Sequence, residues 1–354
     1  MKTRFAFIGF QHPHIWDLVA RASAHPDVEV VACCEEDAAT RAALAASGRV
    51  RVTHTDYRAL LAEKSIDVVV VGEWFAKRGP VVLAALASGR HVLADKPMCT
   101  TLAEHAEIVR LATARKLTVG MMLDMRDSGV FRQVRELVRA GTIGEIRAAA
   151  FGGQHPLLPG VRSAWYHEAG KQGGTINDIA IHGLDLVPWV TGLGYRRVVA
   201  ARVWQSGPPA GSHWLNAGQF MLELDNGAGL LADVSYCSPD SQGYTLPMYW
   251  RLTLWGSRGV LETSLTSPDI TLCLEGEPAA RRVPIGAAVP GGYLDSFLQE
   301  LHGLPGAGLT AAEIFRASYV TLKVQEAADR GWATSSCRPR LGPASSRRLL
   351  PADP

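Results

Sequence analysis

From Thr3 to about residue 122 the chain alternates short, unbroken apolar runs with stretches of helical spacing. "TRFAFIGF" leads into "HIWDLVARASA", and "VEVVACC" leads into "DAATRAALAAS". "DYRALLAEK" precedes "IDVVVVG", "GPVVLAALASG" precedes "RHVLADKP", and "TLAEHAEIVRLATARK" precedes "LTVGMML". Apolar runs without polar alternation suit strands covered on both faces. Strands that alternate with helices predict a parallel, doubly wound α/β sheet. Thr101 and Glu104 have the spacing of a capping box, and Gly89 is placed to stop the helix before "RHVLADKP".

Past residue 122 the pattern changes. "SGVFRQVRELVRAG" sets Val130, Phe131, Val134, Leu137 and Val138 on one helical face. "EIRAAAFGG" reads as a strand, "GQHPLLPGVRSAWYHEAGKQGG" as a loop, and "TINDIAIHGLDLVPWVTG" as a helix. Residues 196–285 alternate like strands, and "DNG" between two such runs signals a hairpin. The second half therefore holds an antiparallel or mixed sheet, closed by the helix "TAAEIFRASYVTLKVQEAADRG". The expected organisation is 1–122, 123–334 and a loose, Pro- and Arg-bearing tail at 335–354.

Composition narrows the class. With 354 residues and 47% hydrophobic positions, two domains with large cores are expected. A net charge of +2 is too small for a nucleic-acid surface. No apolar run reaches the ~20 residues of a membrane span, and the N-terminus lacks a signal-peptide pattern, so a cytoplasmic protein is expected. Cys33, Cys34, Cys99, Cys237, Cys273 and Cys337 form no C-x-x-C pair and are expected as buried thiols, without a metal site.

Three places carry candidate chemistry. The first is "FIGFQHPHI". A dinucleotide fingerprint G-x-G-x-x-G would place glycines at 9, 11 and 14, but only Gly9 is present. The helix start still offers free N–H groups and a positive dipole end to an anion, and His12 and His14 add donors. Glu35, with Glu36, stands at the tip of the second run, where an acid binds a ribose diol and repels a 2′-phosphate. The alternative is that these acids merely open the next helix. The second place is Lys96, just past a buried strand and followed by Pro97, where ligands lie in open α/β sheets. The third is "QGGTINDIAIHGLDLVPW". Asp178 and His182 are four apart and share a helical face, with Asp185 three further on and Gly173 and Gly174 ahead. A histidine there can take a proton from an alcohol near neutral pH; a structural Asp–His bond is the alternative.

Taken together these motifs resemble the glucose–fructose oxidoreductase / inositol dehydrogenase / rhizopine-catabolism (Gfo/Idh/MocA) family of NAD(P)-dependent oxidoreductases, over roughly residues 3–334. The family's "EKP" appears as Asp95-Lys96-Pro97, and its G-G-G-x-x-x-D-x-x-x-H as "QGGTINDIAIH". "GTIGEI" matches the link into the sheet domain, and Asp124 to Arg126 stand where the family has N-x-R. The resemblance implies a Rossmann domain followed by an α/β domain with a large, open, mostly antiparallel sheet. It also implies a homo-oligomer, dimer or tetramer, and a small-molecule substrate, a sugar or cyclitol. NAD, rather than NADP, would lie against Gly9, Phe10, Gln11, His12, Glu35, Gly72, Glu73, Trp74, Lys96 and Pro97. Lys96 would contact the nicotinamide ribose and substrate hydroxyl, His182 would bind the substrate and accept the proton, and Asp178 would bind a neighbouring substrate hydroxyl and orient His182. Asp124, Arg126, Trp165 and Tyr166 would line the substrate pocket, with His167 and Glu168 adding polar contacts. Here Arg78 stands in place of a common family histidine, and "GEWF" replaces an "ATPN"-like stretch. The implied reaction is oxidation of a secondary alcohol with hydride transfer to nicotinamide C4. The competing readings are a hydrolase or lyase with transient oxidation, and a non-catalytic NAD-binding regulator.

Overall fold

The apolar runs of the first third become five parallel strands. The computed structural model describes residues 2–207 and 212–331; the 335–354 tail and Cys337 lie outside the described residues. In chain order the first elements are β1 (Thr3–Ile8), α1 (Ile15–Ala24), β2 (Val28–Cys34), α2 (Ala38–Ser47), α3 (Tyr57–Leu61), β3 (Val68–Val71), α4 (Phe75–Ala87), β4 (His91–Ala94), α5 (Leu102–Arg115) and β5 (Val119–Met121). The sheet order is β2-β1-β3-β4-β5, with every pair parallel. All four valines of β3 are buried, because helices cover both faces. The order reverses between β1 and β3. A crevice opens at such a reversal, beyond the carboxyl ends of the strands. Gly9 and Gly72 leave the sheet at that point. The capping box of Thr101 and Glu104 is present, and Gly89 sits at φ +81°, beyond the end of α4.

The second half continues with α6 (Gly129–Arg139), β6 (Ile146–Pro156), α7 (Ile181–Thr191), β7 (Tyr195–Trp204), β8 (Ala217–Leu224), β9 (Gly229–Ser238), β10 (Arg251–Gly256), β11 (Gly259–Thr263), β12 (Asp269–Leu274), β13 (Arg281–Pro284), α8 (Gly292–Leu301) and α9 (Ala311–Asp329). These strands form one eight-stranded sheet, β13-β12-β11-β10-β6-β9-β8-β7. Among the described residues only the β6–β9 pairing of this sheet is parallel. The "DNG" hairpin joins β8 to β9, with Gly227 at φ +84°. Phe131, Val134, Leu184, Leu222, Leu254 and Val324 share a core between this sheet and its helices. The other face is open and exposes Leu231, Met221 and Trp255.

The observed elements differ from the sequence expectation in four ways. β6 runs on to Pro156 through residues assigned to a loop, because pairing with β9 continues through Gln154 and Ser235 to Pro156 and Ser238 and keeps the backbone extended. "DYRALLAEK" yields only the five residues of α3. α8 was not foreseen; its Tyr293, Leu294 and Phe297 turn back onto the first core, where Phe297 meets Phe5 edge-on. Cys33, Cys34 and Cys99 are buried free thiols, but Cys237 and Cys273 are exposed, each on an outward position of its strand. Among the described residues no helix is long and apolar enough to cross a membrane.

Candidate active site

β4 delivers Lys96 to the crevice, where the residue is buried. Its ammonium donates to Asp178 Oδ1 at 2.8 Å and to the Asp178 carbonyl at 3.0 Å. Two glycines bring Asp178 within reach. Gly173 and Gly174 adopt φ +78° and +103°, and a Cβ on either would come within 2.2 Å of Thr100 or Gln325 side-chain atoms. The chain then enters a π-helical turn at Ile176–Ala180 before α7 begins; such turns recur at functional sites. The other Asp178 oxygen accepts from the Tyr236 hydroxyl and from Gln172 Nε2. Burial would raise this carboxyl's pKa, but the Lys96 ammonium, by charge and by hydrogen bond, and the Tyr236 hydroxyl hold it well below the ordinary carboxylate range.

His182 is buried one turn on. It makes no hydrogen bond to Asp178, contrary to the implied orienting role. The π turn alters the four-residue spacing, and Lys96, Tyr236 and Gln172 already claim both Asp178 oxygens. The nearest acid to His182 Nδ1 is half-exposed Asp124, at 3.8 Å. Burial, reinforced by the nearby Lys96 charge, pushes the imidazole pKa well below its ordinary value. It is therefore neutral at pH 7 and free to take a proton.

The turn after β1 is tied into this site by its histidines. His12 Nδ1 lies 2.6 Å from Asp95 Oδ2, and Arg78 Nη2 donates to the same oxygen at 2.7 Å. His14 Nδ1 is 3.3 Å from Asp95 Oδ1. The ligand-type atoms of His12, His14 and Asp95 lie within 4.8 Å of one another, but the Arg78 guanidinium already balances the carboxylate. Arg78 thus replaces the family histidine with a fully buried cation that also binds the Glu73 and Lys96 carbonyls. Pro97 is buried and its carbonyl accepts from Arg78 too.

At the far end of the crevice Glu35 is buried. Its oxygens accept from the Phe10 and Asp37 backbone N–H groups and from Gln11 Nε2. Glu36 pairs with Lys77 at 2.8 Å, and the same lysine reaches Glu73 at 2.8 Å. Glu73 lies over Gly9 so closely that a Cβ there would fall 2.5 Å from Glu73 Cγ. Burial, only partly offset by Lys77, raises the Glu73 carboxyl to about 7.

A cavity of about 330 Å³ opens beside Lys96. Its wall includes His12, His14, His155, Arg162, Tyr166, Tyr236, Tyr244 and Tyr249. The loop after β6 contributes Leu158, Val161, Arg162, Ser163 and Tyr166 to its lining, but the aromatic roles differ from the expectation. Tyr166 lines the cavity, whereas Trp165 stacks behind it at 4.1 Å and donates its indole N–H to the Gln11 carbonyl. Trp74 is half-buried between Lys77 and Lys171; Phe75 is the inward ring, packed on His12, Trp165 and Tyr166. Arg126 does not line this cavity, because Asp185 and Glu313 hold it in a buried ion cluster behind α7. His167 and Glu168 turn to Ser212 and Lys171. Tyr236, Tyr244, Tyr249 and Arg162 were missed, since single residues on strands and loops carry no motif; Gln172 was read only as a replaced glycine.

With this geometry in place, two family descriptions fit the chain. Residues 3–123 match an oxidoreductase family with an NAD-binding Rossmann fold, and residues 131–262 match the GFO/IDH/MocA C-terminal domain. The chain belongs to the Gfo/Idh/MocA oxidoreductase family. Among its relatives, a dTDP-3,4-didehydro-2,6-dideoxy-alpha-D-glucose 3-reductase from Streptomyces antibioticus is 32% identical over 183 residues, 52% of this chain and 55% of that one. The chain spans about half the length of the first curated relatives it matches. A 3-ketoreductase from Actinomadura kijaniata, solved with NADP and TDP-benzene, superposes with a TM-score of 0.75 at 19% identity, covering 92% of this chain and 98% of that one. An NAD-binding protein from Listeria innocua gives 0.75 at 20% identity, covering 93% and 96%. Both likenesses are of fold.

The nicotinamide dinucleotide of this family fits the residues present. Among the described residues, buried Glu73 Oε2, His155 Nδ1 and His182 Nδ1 round the crevice lack a hydrogen-bond partner, as do His14 Nδ1 and Asp95 Oδ1, which lie 3.3 Å from each other. Buried polar atoms are nearly always paired, so this cluster marks where ligand groups belong. Were a cofactor pyrophosphate held at the Gly9 turn, an ionised Glu73 carboxylate beside it would repel it. The affinity for NADH is therefore expected to fall as pH rises through about 7, by at most about tenfold per unit for a single ionisation. Glu73→Gln flattens the profile in a fluorescence titration, and an unchanged slope in the variant would contradict this. The sign for stability is the same: the folded carboxyl keeps its proton above the ordinary 4.5, so stability declines as pH rises towards 7.

Proposed function

We propose that the protein is an NAD-dependent dehydrogenase that interconverts a secondary alcohol and a ketone on a sugar or cyclitol. The observation that carries this reading is the buried Lys96–Asp178 pair at the wall of the cavity, with a neutral, buried His182 one turn beyond Asp178. When bound, the nicotinamide supplies the hydride acceptor. The chain supplies position and proton transfer. Lys96, held by Asp178, donates a hydrogen bond to the reacting oxygen and stabilises negative charge as the O–H bond breaks. His182 accepts the hydroxyl proton, its low pKa keeping the imidazole in the basic form. Asp178 fixes the ammonium and, through Tyr236, one wall of the cavity. The 157–171 loop and Phe75 exclude water from the reacting carbon.

A screen of sugars and cyclitols with NAD and NADP, following absorbance of the reduced cofactor, tests this reading; no cofactor reduction with any of them counts against it. Glu35 and Glu36 stand at the end of the crevice where a 2′-phosphate would sit. NAD is expected to exceed NADP in kcat/KM by about tenfold or more, the equivalent of about 1.4 kcal/mol of repulsion. Equal efficiencies would remove the acids from that role.

A further inference from the structure

We propose that Arg162 receives a carboxylate, so that the substrate is a sugar acid, a polyhydroxy monocarboxylate of one-ring size. This rests on reading the Lys96 cavity as the substrate site. Two cationic side chains other than histidine line that cavity. The charge of Lys96 is met by Asp178. Arg162 has no carboxylate partner among the described residues. Its Nε donates to the Leu157 carbonyl at 3.0 Å, and its Nη2 to the Pro156 carbonyl at 2.8 Å and to the Tyr244 hydroxyl at 3.4 Å.

Those bonds fix the plane of the guanidinium, while Nη1 makes no hydrogen bond to the described protein. Two rings set its position, Tyr236 at 4.4 Å and Tyr166 at 5.0 Å from the guanidinium carbon. A half-buried cation held rigid by carbonyls and aromatic rings, with a donor left over, is an anion receptor. Planar donor geometry favours a carboxylate. A cavity of about 330 Å³ holds a single sugar ring. The tyrosine hydroxyls and His155 around it suit the remaining hydroxyl groups. With the acid on Arg162, the sugar ring extends towards Lys96 on the same wall.

Calorimetry and thermal-shift titrations test the idea on the full chain with galacturonate, glucuronate and gluconate against galactose and glucose, with and without NADH. The expected result is that at least one acid binds about 10–100-fold more tightly than its neutral parent, the worth of a charge-assisted pair. Arg162→Gln erases that preference while neutral-sugar binding stays within about threefold. Arg162→Lys restores part of it. In turnover the loss falls on KM for the acid rather than on kcat. Equal binding of acids and neutral sugars, binding of none of the acids, or an Arg162→Gln variant that weakens both classes alike each overturns the proposal; the last outcome assigns Arg162 to holding the loop. An acid that binds through Arg162 yet never reduces NAD leaves this inference standing and removes the dehydrogenase reading.

Discussion

Replacing His182 with glutamine lowers kcat by about 10²–10⁴-fold, the range a positioned general base contributes, and leaves NADH affinity close to the wild-type value. Glutamine keeps hydrogen-bonding capacity and removes only the proton acceptor, so the loss belongs to the chemical step. The position favours this outcome. The imidazole is buried, Nδ1 lacks a partner, and burial with the Lys96 charge keeps it unprotonated. The pH profile supplies a second check. The folded pKa of His182 is depressed, so the wild-type enzyme keeps its base form as pH falls through the ordinary histidine value of 6.5, and the acid limb of kcat/KM lies below that value. The variant loses the limb. A variant retaining a tenth of wild-type kcat would show that another group, such as Asp124 at 3.8 Å, takes the proton.

How far the site was legible depends on what each residue needed to reveal itself. The five parallel strands were readable because uninterrupted Val and Ile runs have few other uses, and β2 falls on "VEVVACC" itself. Lys96, Asp178 and His182 were readable because they lie in motifs next to structural punctuation, a proline after the strand and two glycines before the helix. What joins them was not. The π turn has no distinctive spacing, so Asp178 was expected to serve His182 and instead serves Lys96. The Arg78–Asp95–His12 network spans three separated segments, and only the folded sheet brings them together. Arg126 was expected to line the pocket, yet it pairs with Asp185, 2.6 Å away. Trp74 was expected against the cofactor, yet Phe75 is the inward ring, because one residue of offset at the start of α4 decides which ring points inward.

The ion pair at the centre makes the largest stability prediction. Lys96 and Asp178 are both nearly inaccessible to water, and their contact is 2.8 Å. Such a pair adds little over a well-packed apolar pair, but breaking it strands a buried charge. Asp178→Ala is therefore expected to destabilise the fold by about 3–5 kcal/mol at pH 7, read as a lower midpoint in urea unfolding. The loss has two parts, since the Tyr236 hydroxyl also loses its acceptor. Adding Lys96→Met to the same chain removes the stranded ammonium, so the double variant recovers most of the loss while remaining inactive. A double-mutant cycle gives the coupling between the two sites; additive effects would mean the pair is not coupled through charge. Acid titration provides the independent control. The Asp178 carboxyl is held below its ordinary value of 3.8, so its contribution is complete above that pH and drains away as pH falls below it. Wild type loses this increment in acid, whereas the double variant, lacking the carboxyl, does not.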